Sequence, residues 1–177
     1  MTSTQSPAKL VNDVAIDTVA GLATKISEEP SVAATQWRAS VQWTGGFRSE
    51  ASIRDFAPAA SDEPEALGGT DTAANPVEQL LAALGNCLAV GYAANATAAG
   101  IEINDLRIEL EGDLDLHTFL GLNPGGNAGY ESIRVSVVLD ADAPESEIAE
   151  LHERVVGTSP VGHTLSRPVP LHIDLVG

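Results

Sequence analysis

The spacing of apolar side chains changes period several times along the chain, and each change marks an element. From Asn12 to Glu28 the residues Ile16, Val19, Ala20, Ala23 and Ile26 recur at helical intervals until Pro30, which predicts a short amphipathic helix. Trp37, Ala39, Val41 and Trp43 then alternate with Arg38, Ser40 and Gln42, the signature of a strand with one buried face. Thr44-Gly45-Gly46 supplies a turn, and Phe47 to Phe56 returns as the second strand of a hairpin. Ala57 to Ala74 reads as a loop rich in Pro, Gly, Ala and acids. Loops longer than about 12–15 residues in compact domains are usually functional or disordered.

The most informative stretch runs from Asn75 to Gly100. Asn75 is suited to cap a helix and Pro76 to fill its first position, where a missing N–H costs nothing. No charge occurs from Gln79 to Gly100, and Leu80, Leu81, Leu84, Leu88, Val90 and Tyr92 fall all around the helical wheel. Such a helix calls for burial on every side. At about 1.5 Å per residue it measures roughly 35–39 Å, more than one small domain covers easily, so a second subunit is expected to supply part of the cover. Asn86, Asn95, Thr97 and the absence of flanking Lys or Arg clusters argue against a membrane span.

Leu106, Ile108 and Leu110 alternate with charged residues in a strand that starts near Ile103. His117 to Tyr130 is turn-like, and Ile133, Val135, Val137 and Leu139 form another strand. Ala143 to Val156 reads as a helix with Ile148, Leu151 and Val155 inward, and Gly157 to His163 as a turn. Val169, Leu171, Ile173 and Leu175 alternate as a last strand whose Pro168 and Pro170 suit a sheet edge. This order predicts an α+β fold with helices against a largely antiparallel sheet.

Composition narrows the function. The 177 residues carry 25 acids against 9 bases, a formal charge of −16, which argues against nucleic acid or an anionic membrane as partner. One cysteine excludes an intrachain disulfide, and no secretory pattern opens the chain, so a reducing cytoplasm is the expected location. The four histidines lack metal-ligand spacing and no phosphate-binding glycine motif is present, so neither a metal nor another cofactor is expected. Cys87 is the first candidate for chemistry. A free cysteine in an apolar helix is more often a small core residue, and in a helix interior it gains nothing from the dipole of the first turn. Arg48, just past the Gly45-Gly46 turn, is the best cationic candidate by type; His163 is a weaker candidate as a base for Cys87.

The runs PVEQLLAALGNCLAV, GIEINDLRIELEGDLD, GYESIRVSVVLDADAPESEI and TSPVGHTLSRPVPLHI, with TGGFRSE and DEPEALGG upstream, resemble the superfamily of osmotically inducible protein C and the organic hydroperoxide resistance proteins (OsmC/Ohr). The resemblance implies an intertwined homodimer, each subunit a curved antiparallel sheet around the long helix, with the site at the subunit interface. In the peroxidase members the helix cysteine attacks the hydroperoxide, an arginine and a glutamate hold and activate it, and a second cysteine resolves the product. Cys87 matches the attacking position, and Arg48 lies one place after the usual arginine. Val77 stands where the glutamate is expected, with Glu78 as the nearest carboxylate, and Ser159 replaces the resolving cysteine.

Residues 1–34 are therefore expected to form an N-terminal extension and 35–177 an OsmC-like domain. The expected function is reduction of organic hydroperoxides through Cys87, with an external thiol as reductant and Glu78 and Ser159 in the substrate site. The alternative is a catalytically silent dimer of the same fold that holds a small apolar ligand at its interface.

Overall fold

The computed structural model describes residues 10–177, which fall into two units, 17–82 and 10–16 with 83–177. The first unit opens with helix α1 (Ile16–Glu28). The predicted start at Asn12 is corrected: Val11–Asp13 form a separate 3-10 turn. Asn12 is drawn out of any helix by tertiary bonds within the second unit, donating to Thr97 Oγ1 and the Ile101 carbonyl and accepting from the Ile103 N–H at 2.8 Å. After α1 comes an antiparallel meander of β1 (Ser40–Gly45), β2 (Arg48–Ser52) and β3 (Ala59–Ser61). The hairpin is as predicted but shorter at both outer ends, and β3 lies inside the predicted loop.

The rest of that loop is held by one side chain. Asp62, only 1% exposed, accepts from the hydroxyls and backbone N–H groups of both Thr70 and Thr72 and from the Glu63 N–H. Gly69 completes the turn, because a Cβ there would fall 1.8 Å from the Glu63 carbonyl oxygen. The chain then enters α2 (Pro76–Ala98) through reciprocal capping: Asn75 Oδ1 accepts the Glu78 N–H and Glu78 Oε2 accepts the Asn75 N–H, each at 2.9 Å.

In the second unit, β4 (Ile103–Leu114) and β5 (Tyr130–Ala141) pair antiparallel, with Leu106 opposite Leu139 and Ile108 opposite Val137. Their apolar positions turn to one face and their charged ones to the other, as the alternation predicted. Between them the turn-like segment opens with one helical turn, α3 (Leu116–Phe119), capped by Asp115. Helices α4 (Glu145–Thr158) and α5 (Pro160–Ser166) follow. The core is the α2 stripe Leu84, Leu88, Tyr92 and Ala96 packed with Ile101 and with Leu151 and Val155 of α4, over the inner face of β4–β5. Each fully buried large side chain contributes on the order of 1.5–3 kcal/mol. By length and composition α2 could cross a membrane, but this stripe is spent on a protein core.

Two further expectations are corrected. The predicted turn at 157–163 is helical, because α4 continues to Thr158, Ser159 caps the next helix and Pro160 fills its first position. The last strand does not form: residues 167–177 have no regular structure, and Leu171, Ile173 and Leu175 are 80–102% exposed. Pro168 and Pro170 remove two ladder donors, and no strand of the second unit pairs with this segment. Within the single chain α2 is buried along one stripe, with Val90 69% exposed, since the chain's own layers cover only that side.

Hydrogen bonding, first from the Thr70 hydroxyl, holds the Asp62 carboxyl well below the usual carboxylate range. Its contribution to stability is therefore complete above the unfolded value of about 4 and is lost progressively as pH falls below it. Acid titration followed by amide exchange at Thr70 and Thr72 should show early loosening of 62–72 in the parent; Asp62→Asn should show the same loosening already at neutral pH. Close packing gives a second test. A Cβ at Gly91 would stand 2.9 Å from Val155 Cγ1. Gly→Ala inside a helix normally gains up to about 1 kcal/mol, whereas overpacking costs about 1–3 kcal/mol. Gly91→Ala should therefore be net destabilising in urea melts, and a Val155→Ala background should reverse the sign.

Candidate functional site

Cys87 lies in the interior of α2, one residue before the core residue Leu88, and its side chain is half-buried. What reaches it comes from the α4–α5 junction. The two helices meet at Ser159, which is 4% exposed, and its Oγ stands 3.3 Å from Cys87 Sγ. The same oxygen accepts the Gly162 N–H at 3.1 Å as the cap of α5. With one lone pair engaged by the backbone, the Ser159 hydroxyl still has a proton to give to sulfur and a lone pair to accept from it. The junction is tight, because a Cβ at Gly162 would fall 3.1 Å from Ser159 Oγ.

The other predicted site residues are placed as follows. Glu78 lies in the first turn of α2, exposed, with Oε2 on the Asn75 N–H. Arg48 opens β2 in the hairpin unit and is exposed. The hydrogen-bond partner of His163 is Arg167, whose Nη2 donates to His163 Nε2 at 3.4 Å, so His163 is not the group on Cys87.

Beside this junction is a cavity of about 600 Å³ that sequence reasoning did not foresee. Leu84, Leu88, Ile133 and Val137 supply its apolar walls, and Ser159 belongs to its lining. Tyr92 and His152 also line it, and there the Tyr92 hydroxyl bonds His152 Nδ1 with the two rings stacked 6.1 Å apart. Burial pushes the Tyr92 phenol up, keeping it neutral. The readable signal was Tyr92 itself: it falls in the four-residue row Leu84, Leu88, Tyr92, Ala96, and a buried phenol needs a partner.

Against this geometry, the profile of the family described as OsmC-like protein matches residues 69–174, more than half of the chain. The curated relative YmaD of Bacillus subtilis, an uncharacterised protein, is 33% identical over 92 residues, a span of 51% of this chain and only 57% of the relative. Among solved structures, an OsmC-like protein from Mycoplasma pneumoniae superposes with a TM-score of 0.64 at 22% identity, covering 75% of this chain and 88% of the other. An organic hydroperoxide resistance protein OsmC from Legionella pneumophila reaches a TM-score of 0.51 at 18% identity, covering 75% and 91%. At such identities the structural likenesses speak for the fold alone, while the profile match carries the family: the chain belongs to the OsmC-like proteins.

Proposed function

We propose that this protein is a thiol peroxidase that reduces organic hydroperoxides by a one-cysteine cycle. The observation that carries the reading is the 3.3 Å contact between Cys87 Sγ and the buried Ser159 hydroxyl, itself held by the Gly162 N–H. That a structural neighbour is an organic hydroperoxide resistance protein gives the reading its substrate class. The Cys87 thiolate attacks the terminal peroxide oxygen: an S–O bond forms, the O–O bond breaks, and the alkoxide leaves and takes up a proton as the alcohol. Cys87 is then a sulfenic acid. One external thiol condenses with it to a mixed disulfide, releasing water, and a second thiol displaces Cys87 as the reduced form. Ser159 cannot replace the external thiol, since a hydroxyl forms no disulfide.

The same reading includes a homodimer. Its support is the apolar surface that one chain leaves uncovered, including Val90 on α2 and the alternating side chains of 169–175. Light scattering at micromolar concentration should give a molar mass twice that of the chain; a monodisperse monomer would remove the dimer and any interfacial site.

Turnover of cumene hydroperoxide with dithiothreitol tests the chemistry. Cys87→Ser should abolish it, whereas Ser159→Ala should slow it by about tenfold, the worth of one hydrogen bond to a charged group. Without reductant, excess peroxide should drive parental Cys87 to sulfinic acid, and Ser159→Cys should instead give a reducible disulfide. Mass spectrometry that finds an unmodified Cys87 thiol under full peroxide excess sinks the proposal in favour of the ligand-binding reading.

A further inference from the structure

The cavity adjoins the Cys87 contact through Ser159, which belongs to its lining. Cys87 does not line it. Its volume of about 600 Å³ lies within the roughly 300–1,000 Å³ of small-molecule sites, which are apolar with a few converging polar groups. Here the polar groups are sorted. Tyr92 and His152 bond one another through the phenol and Nδ1, which engages part of their hydrogen-bonding capacity. From α5 and the residue that follows it, His163 and Arg167 join the lining.

Arg167 is the informative residue. Its Nη2 donates to His163 Nε2, and among the described residues it forms no ion pair, which is equally true of Arg38, Arg48, Arg54 and Arg154; what sets it apart is that it lines this cavity. A guanidinium carries five N–H donors, so most of its capacity is open. Acids outnumber bases 25 to 9 in this chain, yet no carboxylate lines the cavity. That combination disfavours a cationic ligand, which would need an acid. It also disfavours a polyphosphate, which one arginine cannot neutralise.

We propose that the cavity binds an amphiphilic monocarboxylate, with its hydrocarbon tail against Leu84, Leu88, Ile133 and Val137 and its carboxylate on Arg167. The tail is held by the transfer of apolar surface out of water, and the charge-assisted bonds to Arg167 select the head group. The site does not depend on the peroxidase reading, because no step of it uses the Cys87 sulfur.

Isothermal titration of the full chain with three probes of equal tail, octanoate, 1-octanol and octyltrimethylammonium, tests this. Octanoate should bind saturably with one molecule per chain, octanol more weakly, and the ammonium not at all. Arg167 is exposed, so Arg167→Gln should leave the melting temperature unchanged while weakening octanoate by about tenfold or more, with octanol unaffected. Val135→Trp, which fills the cavity from its exposed rim, should remove binding of both. Octanoate binding should persist in Cys87→Ser, so failure of the peroxidase assay and failure of this proposal are separate results. Absence of saturable octanoate binding, equal affinity for all three probes, unchanged octanoate affinity in Arg167→Gln or binding retained in Val135→Trp would overturn it.

Discussion

The burial of one four-residue row on α2 organises the larger unit of this protein. Leu84, Leu88, Tyr92 and Ala96 lie on a single face, and they determine what can lie against it: α4 through Leu151 and Val155 on one side, the apolar face of β4–β5 on the other. The approach is close enough that a side chain in place of glycine would make a neighbour shift where α2 meets β4 and α4. A Cβ at Gly85 would stand 2.9 Å from Leu110 of β4, and one at Gly91 the same distance from Val155 of α4. Because interiors pack at crystal-like density, such contacts leave little freedom in where α4 ends.

The position of the chemistry follows from that packing. Once Leu151 and Val155 are seated on α2, the end of α4 brings Ser159 to Cys87, and the Ser-Pro start of α5 turns the Ser159 oxygen towards its own helix cap. One hydroxyl thus serves both the backbone and the thiol. The same arrangement leaves a cavity lined by α2, β5 and the two C-terminal helices, with Arg167 in its lining. Capping, thiol environment and cavity wall are consequences of one junction, so a change at Ser159 or Gly162 acts on all three.

Polar anchors do for the loops what the apolar row does for the core. Asp62 gathers the 62–72 loop by collecting five hydrogen bonds, and Asn12 ties residues 10–16 to the end of α2 and the start of β4. Buried polar groups are costly unless satisfied, which makes each anchor specific for one loop geometry.

Local signals were enough for much of this. The cap at Asn75, the uncharged run to Gly100, the period-two strands from Ile103 and Ile133 and the apolar face of α4 are each encoded by neighbours in sequence, and the motifs around Cys87 and Ser159 pointed to the family. What sequence reading missed depended on partners distant in the chain. Asn12 looked helical until Thr97 and Ile103, some 90 positions away, claimed its side chain. Asp62 looked like one acid of a loop, and only the folded turn placed two threonines around it. The alternation from Val169 to Leu175 promised a strand, but a strand exists only where a neighbour pairs with it, and no strand of this unit pairs with that segment. Most of all, Cys87 and Ser159 are separated by 72 residues. Their residue types follow from the sequence; their contact depends on how tightly α4 packs on α2, which side-chain volumes across the whole core decide.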